Sequence, residues 1–257
     1  MRIPTAALAA LVCPCALHAG RPLVIDDAEP VPPGLLEIEA GFSYAAFDSH
    51  DHYHLPIALA TGVLPDLEAG LGFGGQLQEG AEIQQTPRSV AGIGDLQLGL
   101  KWKPIDQSRW PADVAFAGLI KFPTASRSDG LGSGEIDYDA TLILSRALGE
   151  KANIHLNAGY SWIGDPPSES LGDLFHGGVA VDCMLTSSIQ CIGELFGQRE
   201  LRSGGETVVQ WTAGLRWMMS PNLTFDVAAG TTLRGSGADF AVLCGITWTS
   251  EFFRRKG

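Results

Sequence analysis

Long apolar runs are absent from most of this chain. After residue 19, no segment contains the ~20 consecutive apolar residues that a membrane-spanning helix needs. A β-strand needs only about 10 residues of alternating apolar and polar character to cross the same bilayer. The absence therefore argues against a helical membrane protein and leaves a membrane β-barrel open.

Basic residues and cysteines are also scarce. The chain has 17 Lys and Arg against 29 Asp and Glu, a net charge of −12. Nucleic-acid-binding proteins usually carry a basic patch, so we expect no nucleic-acid partner. Only Cys183, Cys191 and Cys244 follow residue 15. Cys183 and Cys191 flank a predicted tight turn, so they either form a disulfide across a hairpin or face lipid as small apolar residues.

The first 19 residues have the features of a secretory signal peptide. Arg2 supplies the positive charge, and Ala6–Val12 form an apolar segment too short to span a bilayer. The predicted cleavage site follows Ala19. Cys13 and Cys15 raise the alternative of a lipid anchor, which the residues before them fit poorly.

One alternating pattern recurs from residue 35 to the end. Apolar side chains occupy every second position of segments such as 95–102 and 153–162, with polar or glycine residues between them. Successive side chains of a strand point to opposite faces, so each segment predicts a strand with one apolar and one polar face. Behind an export signal, this pattern predicts a transmembrane antiparallel up-and-down β-barrel in the outer membrane of a Gram-negative bacterium.

Twelve strands are predicted, and the connections between them alternate in length. The strands are expected at 35–46, 53–63, 67–76, 94–103, 112–122, 136–145, 153–162, 174–184, 189–197, 208–218, 222–231 and 239–252. The longer connections include 47–52, 77–93 and 123–135. Outer-membrane barrels have short periplasmic turns and longer outer loops, so both termini are predicted to be periplasmic.

The segments outside the barrel are short. Residues 20–34 are rich in proline, which excludes them from a central strand, so an extended lead-in is predicted, either in the periplasm or in the barrel mouth. The barrel is expected to span 35–253, with a basic tail at 254–257. Its last strand ends on an aromatic residue, which resembles the signal read by the barrel-insertion machinery, an expected partner.

Large aromatic residues lie at predicted strand ends on the apolar face. They are Trp102, Trp162, Trp217 and Phe252. Aromatic girdles of this kind mark the two membrane interfaces of outer-membrane barrels. We therefore expect the apolar face to contact outer-membrane lipid.

Charged residues fall on the opposite face, which the register directs into the lumen. The candidate lumen-lining residues are Glu37, Glu39, Glu68, Asp95, Lys101, Lys121, Asp137, Asp139, His155, Glu194 and Arg216. An acidic lining repels anions and admits cations or neutral solutes. The alternative is that these carboxylates pair with the few bases and fill a closed barrel.

Three histidines stand close together in the first predicted outer loop. His50, His52 and His54, beside Asp48 and Asp51, are of the residue types that bind zinc or copper. The alternative is a solvated loop without a metal, since polar residues are common in loops. No serine and histidine lie together on the predicted lipid face, so no catalytic residues, no cofactor and no enzyme activity are expected.

Several short motifs stand at 21–28, 94–96, 99–101 and 121–124, with Pro32, Gly34, Leu36 and Glu37. Together they resemble a broad bacterial family of outer-membrane proteins catalogued under the phenol meta-cleavage pathway, often called transporters. The resemblance implies an outer-membrane barrel that passes small, in part aromatic, molecules. It carries over Asp26 and Asp27 only as positional markers.

Two functions are therefore expected as alternatives. The first is passive transport of small organic molecules through an acidic lumen, with the loop at 77–93 as the gate. The second is a filled structural or adhesion barrel without transport. The solute flux across a membrane separates them.

Overall fold

The computed structural model describes residues 20–83, 86–166 and 170–251, and they form an all-β structure. No helix in this part of the chain is long and apolar enough to cross a membrane. The strands are β1 (Leu35–Phe47), β2 (His50–Leu64), β3 (Leu67–Ile83), β4 (Thr86–Ile93), β5 (Leu96–Ile105), β6 (Asp113–Phe122), β7 (Asp137–Leu148), β8 (Ala152–Trp162), β9 (Leu174–Met184), β10 (Ile189–Glu200), β11 (Thr207–Ser220), β12 (Leu223–Arg234) and β13 (Phe240–Glu251).

The strands close into a barrel. Neighbouring strands pair antiparallel around the wall, β1 pairs with β13, and the β2–β3 pairing completes the ring. One edge of β3 pairs with β5 along 67–72 and with β4 along 75–83, so β4 and β5 share one position in the wall. The result is a closed 12-stranded antiparallel barrel with one extra strand. The predicted fold class is confirmed, and closure removes the free edges of the sheet.

The extra strand replaces the predicted loop at 77–93. The second half of β3 and the whole of β4 form a hairpin there, and Gly94–Asp95 interrupts the wall before β5. The Gly94 N–H donates to the Gly74 carbonyl (2.8 Å) at this interruption. The prediction of a loop was wrong because the hairpin lacks the apolar alternation used to find strands. Its backbone groups pair whatever the polarity of the side chains.

The outer surface is apolar, as the alternation predicts. Leu100 and Trp102 are 55% and 52% exposed, whereas Lys101 between them is 3% exposed. Trp162 and Trp217 are also exposed on the outside, and Phe252 lies outside the described residues. These side chains form the surface that the fold presents to lipid.

The described cysteines are all free thiols. Cys183 and Cys191 are direct partners across β9 and β10, as the predicted hairpin requires. The Cys191 thiol lies 3.4 Å from the Cys183 backbone oxygen instead of forming a disulfide. Cys244 is likewise half-buried and unpaired with another cysteine. The structure therefore favours the alternative of small apolar residues on the outer face.

The two ends of the barrel differ. At one end, which we name the turn end, the connections at 65–66, 149–151, 185–188 and 221–222 are short. The opposite loop end carries the connections at 123–136, 163–173 and 201–206. The loop predicted at 47–52 is wrong, since only 48–49 separate β1 from β2. The first strand begins and the last strand ends at the turn end. The periplasmic location of this end stays a prediction.

Candidate functional site

The segment before β1, residues 20–34, lies inside the barrel, and we name it the lead-in. Leu23 and Ile25 are buried against Ala180, Ile192 and Phe196 of β9 and β10. Further along, Ala28 packs against Ala115 and Ile143 of β6 and β7 and is fully buried. An apolar side of the lead-in therefore contacts apolar patches of a wall that is otherwise polar.

Wall side chains supply the hydrogen bonds that the lead-in cannot make to neighbouring strands. The Glu194 carboxylate accepts from the N–H groups of Val24 (2.8 Å) and Ile25 (2.9 Å). Glu68 accepts from the Val31 N–H at 2.7 Å, and Ser145 Oγ accepts from the Ala28 N–H at 2.8 Å. Buried N–H groups need such acceptors. These polar residues thus anchor the lead-in.

Arg21 is held in a cradle made by three strands. Its Nε lies 3.3 Å from the Asp226 carboxylate of β12, and its Nη2 donates to the Cys244 carbonyl of β13 at 2.8 Å. The guanidinium lies over Gly41 and Gly245, which are direct partners across β1 and β13. A Cβ atom at either glycine would overlap the guanidinium. The two glycines therefore make room for the arginine.

Asp26 anchors the middle of the lead-in. Its carboxylate accepts from the Lys101 ammonium of β5 (3.2 Å), which also lies 3.8 Å from Glu68. Burial raises the pKa of the Asp26 carboxyl well above its ordinary value, and the positive charge of Lys101 opposes that shift. The Asn157 amide, in the orientation that satisfies both partners, bonds the Asp26 backbone N–H and carbonyl. The Asp26 position is thus tied to two strands.

Other predicted lumen residues pair within the wall. Lys121 lies 3.2 Å from Asp95 and 2.7 Å from Asp137. The Asp139 carboxylate lies 2.7 Å from His176 Nε2 and accepts from Ser161 Oγ at 2.6 Å. These contacts join side chains of β6 to β9 and of Asp95 before β5, and the charged groups are buried rather than open to water.

The remaining predicted lumen residues lie at the two sides of the lead-in. His155 Nε2 lies 2.8 Å from the Asp182 carboxylate. Arg216 donates to the backbone oxygens of Arg21 (2.6 Å) and Gly20. Glu37 and Glu39 are half-buried and border open space at the turn end. Much of the interior charge is therefore paired, in keeping with the alternative considered from the sequence.

One cavity lies on each side of the lead-in. The loop-end cavity has a volume of about 330 Å³, and most of its lining surface is apolar, including Leu23, Val24, Pro56, Phe196, Val208 and Leu243. Charged side chains also line it, among them Arg21, Glu39, Glu200 and Glu206. The turn-end cavity has a volume of about 260 Å³. It is acidic, with Asp26, Asp27, Glu29, Glu37, Glu39 and Glu68 beside Lys101. Glu39 and Ala58 border both cavities, so the two approach each other at β1 and β2.

The histidines predicted in an outer loop lie on a strand instead. His50, His52 and His54 belong to β2, and the last two line the loop-end cavity. Across residues 20–83, 86–166 and 170–251, no three His, Cys, Asp or Glu side chains are grouped to hold a metal ion. The loop assignment failed because His50, His52 and His54 interrupt the apolar alternation from which strands were predicted. A strand can nevertheless accommodate ring side chains such as histidine.

Several interior residues escaped the sequence analysis, and three of them show why. Arg21 and Asn157 bond the lead-in, which shows no periodicity from which such contacts could be found. Lys103, 8% exposed, bonds Glu29 of the lead-in. Lys103 was detectable, because it continues the inward alternation that includes Lys101.

A closed antiparallel barrel with an apolar outside and a polar inside defines the outer-membrane β-barrel class. The chain belongs to the family described as "Putative MetA-pathway of phenol degradation", whose model matches residues 19–249. The resemblance noted in the motifs is thereby confirmed. No curated protein sequence matches the chain.

Solved structures of outer-membrane channels share the fold. An outer membrane channel from Pseudomonas putida F1 superposes with a TM-score of 0.72 at 13% identity, covering 87% of this chain and 98% of that one. The NanC porin gives 0.59 at 13% identity, with 83% and 98% covered. The CymD monoaromatic hydrocarbon channel gives 0.50 at 10% identity, with 96% and 93% covered. These are channels and a porin rather than enzymes, and the predicted outer-membrane barrel is confirmed as a fold.

Proposed function

We propose that this protein is a channel of the Gram-negative outer membrane through which small organic molecules pass down their concentration gradient. The observation that carries the proposal is the loop-end cavity, a mostly apolar space with charged side chains at its border, inside a barrel whose outside is also apolar. Polar nutrients would not need such a lining. Channels of the same fold, one described as a monoaromatic hydrocarbon channel, support this reading.

The volume of the loop-end cavity suits a single-ring molecule. A buried apolar cavity of roughly 150 Å³ is enough to hold benzene, and this one measures about 330 Å³. Burying roughly 150 Å² of an aromatic solute at about 25 cal/mol per Å² gives a gross gain of ~4 kcal/mol. The loss of translational freedom offsets much of that gain. Binding would therefore be weak, as passage through a channel requires.

Passage from one cavity to the other requires the lead-in to shift. The lead-in crosses the lumen between the two cavities. Its first residues contact β13 through Arg21, and its last residues contact β2 through Pro33. The shortest route passes the border residues Glu39 and Ala58, next to Arg21. We assign the gate to this part of the lead-in, in place of the predicted loop at 77–93.

Selection by charge is assigned to the turn-end cavity. Its six carboxylates outnumber the two ammonium groups that contact them, those of Lys101 and Lys103, so an anion entering this cavity meets repulsion. Carboxylates deeper in the wall, such as Asp137 and Asp139, are already paired. The proposed acidic filter therefore contains fewer residues than the full set of inward acids, and Glu37 and Glu39 are its main members.

A disulfide that locks the lead-in tests the proposal. Leu23 lies two residues from Arg21 and is buried in one cluster with Ile192, so a Leu23→Cys, Ile192→Cys disulfide would lock the lead-in beside the assigned gate, once Cys183, Cys191 and Cys244 are replaced by Ala. We expect cells carrying this variant to take up radiolabelled toluene faster when reduced than when oxidised. The matched control is the Leu23→Cys single variant, whose uptake should not respond to reduction.

The filled structural barrel is the second candidate function. The lead-in and the paired interior charges favour it, because they occupy the middle of the lumen. It predicts that toluene uptake equals that of cells without the protein in both redox states. That result would reject the channel.

A further inference from the structure

Glu39 lies where the two cavities approach each other. The residue is half-buried and borders both of them. Its Oε1 accepts two long hydrogen bonds, from the Arg21 N–H (3.5 Å) and from Thr247 Oγ1 (3.4 Å). Among the described residues, its Oε2 accepts no hydrogen bond, and no Lys, Arg or His side chain forms an ion pair with it. The carboxylate therefore has room for a cation that the protein does not supply.

Arg21 lies beside Glu39, but its charge is balanced by another acid. The Arg21 Nε lies 3.3 Å from the carboxylate of Asp226, which is 1% exposed. The Nη2 atom donates to the Cys244 carbonyl at 2.8 Å. A buried ion pair of this kind is costly to break, because the acid would be left without its partner. Arg21 thus leaves the charge of Glu39 largely uncompensated.

The other acids of the loop-end cavity have closer contacts within the protein. Glu200 lies 2.7 Å from the Arg202 guanidinium. Glu206 accepts from the N–H (2.7 Å) and the hydroxyl (2.6 Å) of Ser236. Glu39, which has only two long hydrogen bonds, is therefore the acid of this cavity with the most capacity left to bind a cation.

Apolar residues lie within the length of one small molecule from Glu39. Ala58 is the direct partner of Glu39 across β1 and β2. Pro56 is two residues closer to the loop end, a distance of about 7 Å along the strand. Leu23 and Val24 of the lead-in also line this cavity. A molecule bound here would thus meet a carboxylate at one end and apolar side chains at the other.

This combination selects an apolar molecule that carries an ammonium group. An ammonium donates up to three hydrogen bonds, and its bond to a carboxylate is strengthened by the opposite charges. The apolar part gains free energy by leaving water for the apolar lining. An anion would be repelled by Glu39 and by the acids of the turn-end cavity. A neutral molecule would leave the carboxylate without a cation.

We propose that the junction of the two cavities binds apolar primary amines, with the ammonium group on the Glu39 carboxylate and the apolar part in the loop-end cavity. Glu39 then makes the channel select organic cations over neutral and anionic molecules of the same shape. This inference rests on the proposed channel function and adds the substrate class.

Three molecules that share one ring test the inference. Cyclohexylmethylamine, cyclohexylmethanol and cyclohexanecarboxylate differ mainly in charge, since at pH 8 the amine is a cation and the acid an anion. Equilibrium dialysis of each radiolabelled molecule against the full chain in nanodiscs of zwitterionic lipid, with empty nanodiscs subtracted, gives the affinities. We expect the wild type to bind the amine about tenfold more tightly than the alcohol, and the carboxylate most weakly.

Substitutions of Glu39 assign this preference to one carboxylate. Glu39→Gln should weaken amine binding about tenfold and change alcohol binding less than twofold, because the alcohol does not depend on the charge. Glu39→Asp keeps the charge and should retain most of the preference. A damaged cavity would instead weaken the amine and the alcohol together.

Glu150→Gln is the matched control. Glu150 is an exposed acid in the turn at 149–151 and lines neither cavity. The substitution removes the same charge from the chain, so its amine-to-alcohol ratio should equal that of the wild type. For every variant, a shift in gel migration between the unheated and the boiled protein reports folding of the barrel.

The possible outcomes separate this inference from the channel proposal. If the wild type does not prefer the amine, or if Glu39→Gln weakens the amine and the alcohol equally or neither, the inference is wrong. Uptake of toluene by cells would in that case still support the channel. If the wild type binds none of the three molecules, the inference is overturned. If cells also fail to take up toluene, the proposed function fails with it.

Discussion

The docking of the lead-in depends on Arg21, and removing its guanidinium gives a quantitative prediction. Arg21→Met eliminates the ion pair with Asp226 (3.3 Å) and the bond to the Cys244 carbonyl (2.8 Å). A hydrogen bond that involves a charged group contributes about 1.5–3 kcal/mol. Asp226 is 1% exposed and would lose its cationic partner, which raises the cost. We expect the docked lead-in to lose ~3 kcal/mol relative to a locally detached one.

Amide hydrogen exchange measures this loss directly. The N–H groups of Val24, Ile25 and Val31 are protected only by side-chain acceptors of the wall, so they exchange when the lead-in detaches. A change of 1.4 kcal/mol is a factor of ten in an equilibrium constant. Their protection should therefore fall roughly 100-fold in Arg21→Met, while that of strand amides in β7 and β8 stays unchanged.

A second substitution tests the same contact without removing the charge. Gly245→Ala places a Cβ atom where the Arg21 guanidinium lies, so the arginine must leave its cradle. We expect the same loss of protection at Val24 and Ile25. Gly193→Ala is the matched control, because a Cβ there meets only ordinary contact with the Thr212 carbonyl, at 3.7 Å. Unchanged protection in both Arg21→Met and Gly245→Ala would refute the assignment of Arg21 as an anchor.

Three further predictions concern other parts of the barrel. Lys101→Met leaves Asp26 without its cation and should destabilise lead-in docking by about 3–5 kcal/mol, with partial recovery when Asp26→Asn is added, as measured by hydrogen exchange. The Glu37→Gln, Glu39→Gln double variant should lower the cation preference, and an unaltered reversal potential in planar bilayers would contradict the acidic filter. Leu98→Arg places a charge on the outer face four residues along β5 from Trp102, toward the middle of the membrane, and should lower the free energy of unfolding by roughly 2–4 kcal/mol, as measured by urea titration in lipid vesicles.

The alternation of side chains determined the barrel and the direction of each side chain. A strand has a period of two, so the position of one lipid-facing residue such as Leu100 settles the direction of Lys101 and Trp102. The inward position of Glu68 and Glu194 was predictable in the same way. Local sequence is sufficient for this because the direction depends on backbone geometry and not on distant contacts.

The β3–β4 hairpin and the position of His52 were not predictable by the same rule. Both lie in segments where the apolar alternation stops, although the backbone stays extended. A strand that is not in contact with lipid needs no apolar face. Such segments stay extended because their backbones are hydrogen-bonded to a neighbouring strand. Whether that neighbour is in place cannot be read from the segment's own sequence.

The path of the lead-in was decided by the tertiary structure alone. Residues 20–34 have no periodicity, and their partners, from Glu68 to Asp226, are spread over the whole chain. Only closure of the barrel brings Gly41 and Gly245 together and opens the space that Arg21 fills. The sequence by itself thus determined a barrel with a polar interior, because strand periodicity is local. The tertiary structure decided that the lead-in fills that interior. The contacts of the lead-in are with residues far apart in the sequence, and these become neighbours only when the barrel closes.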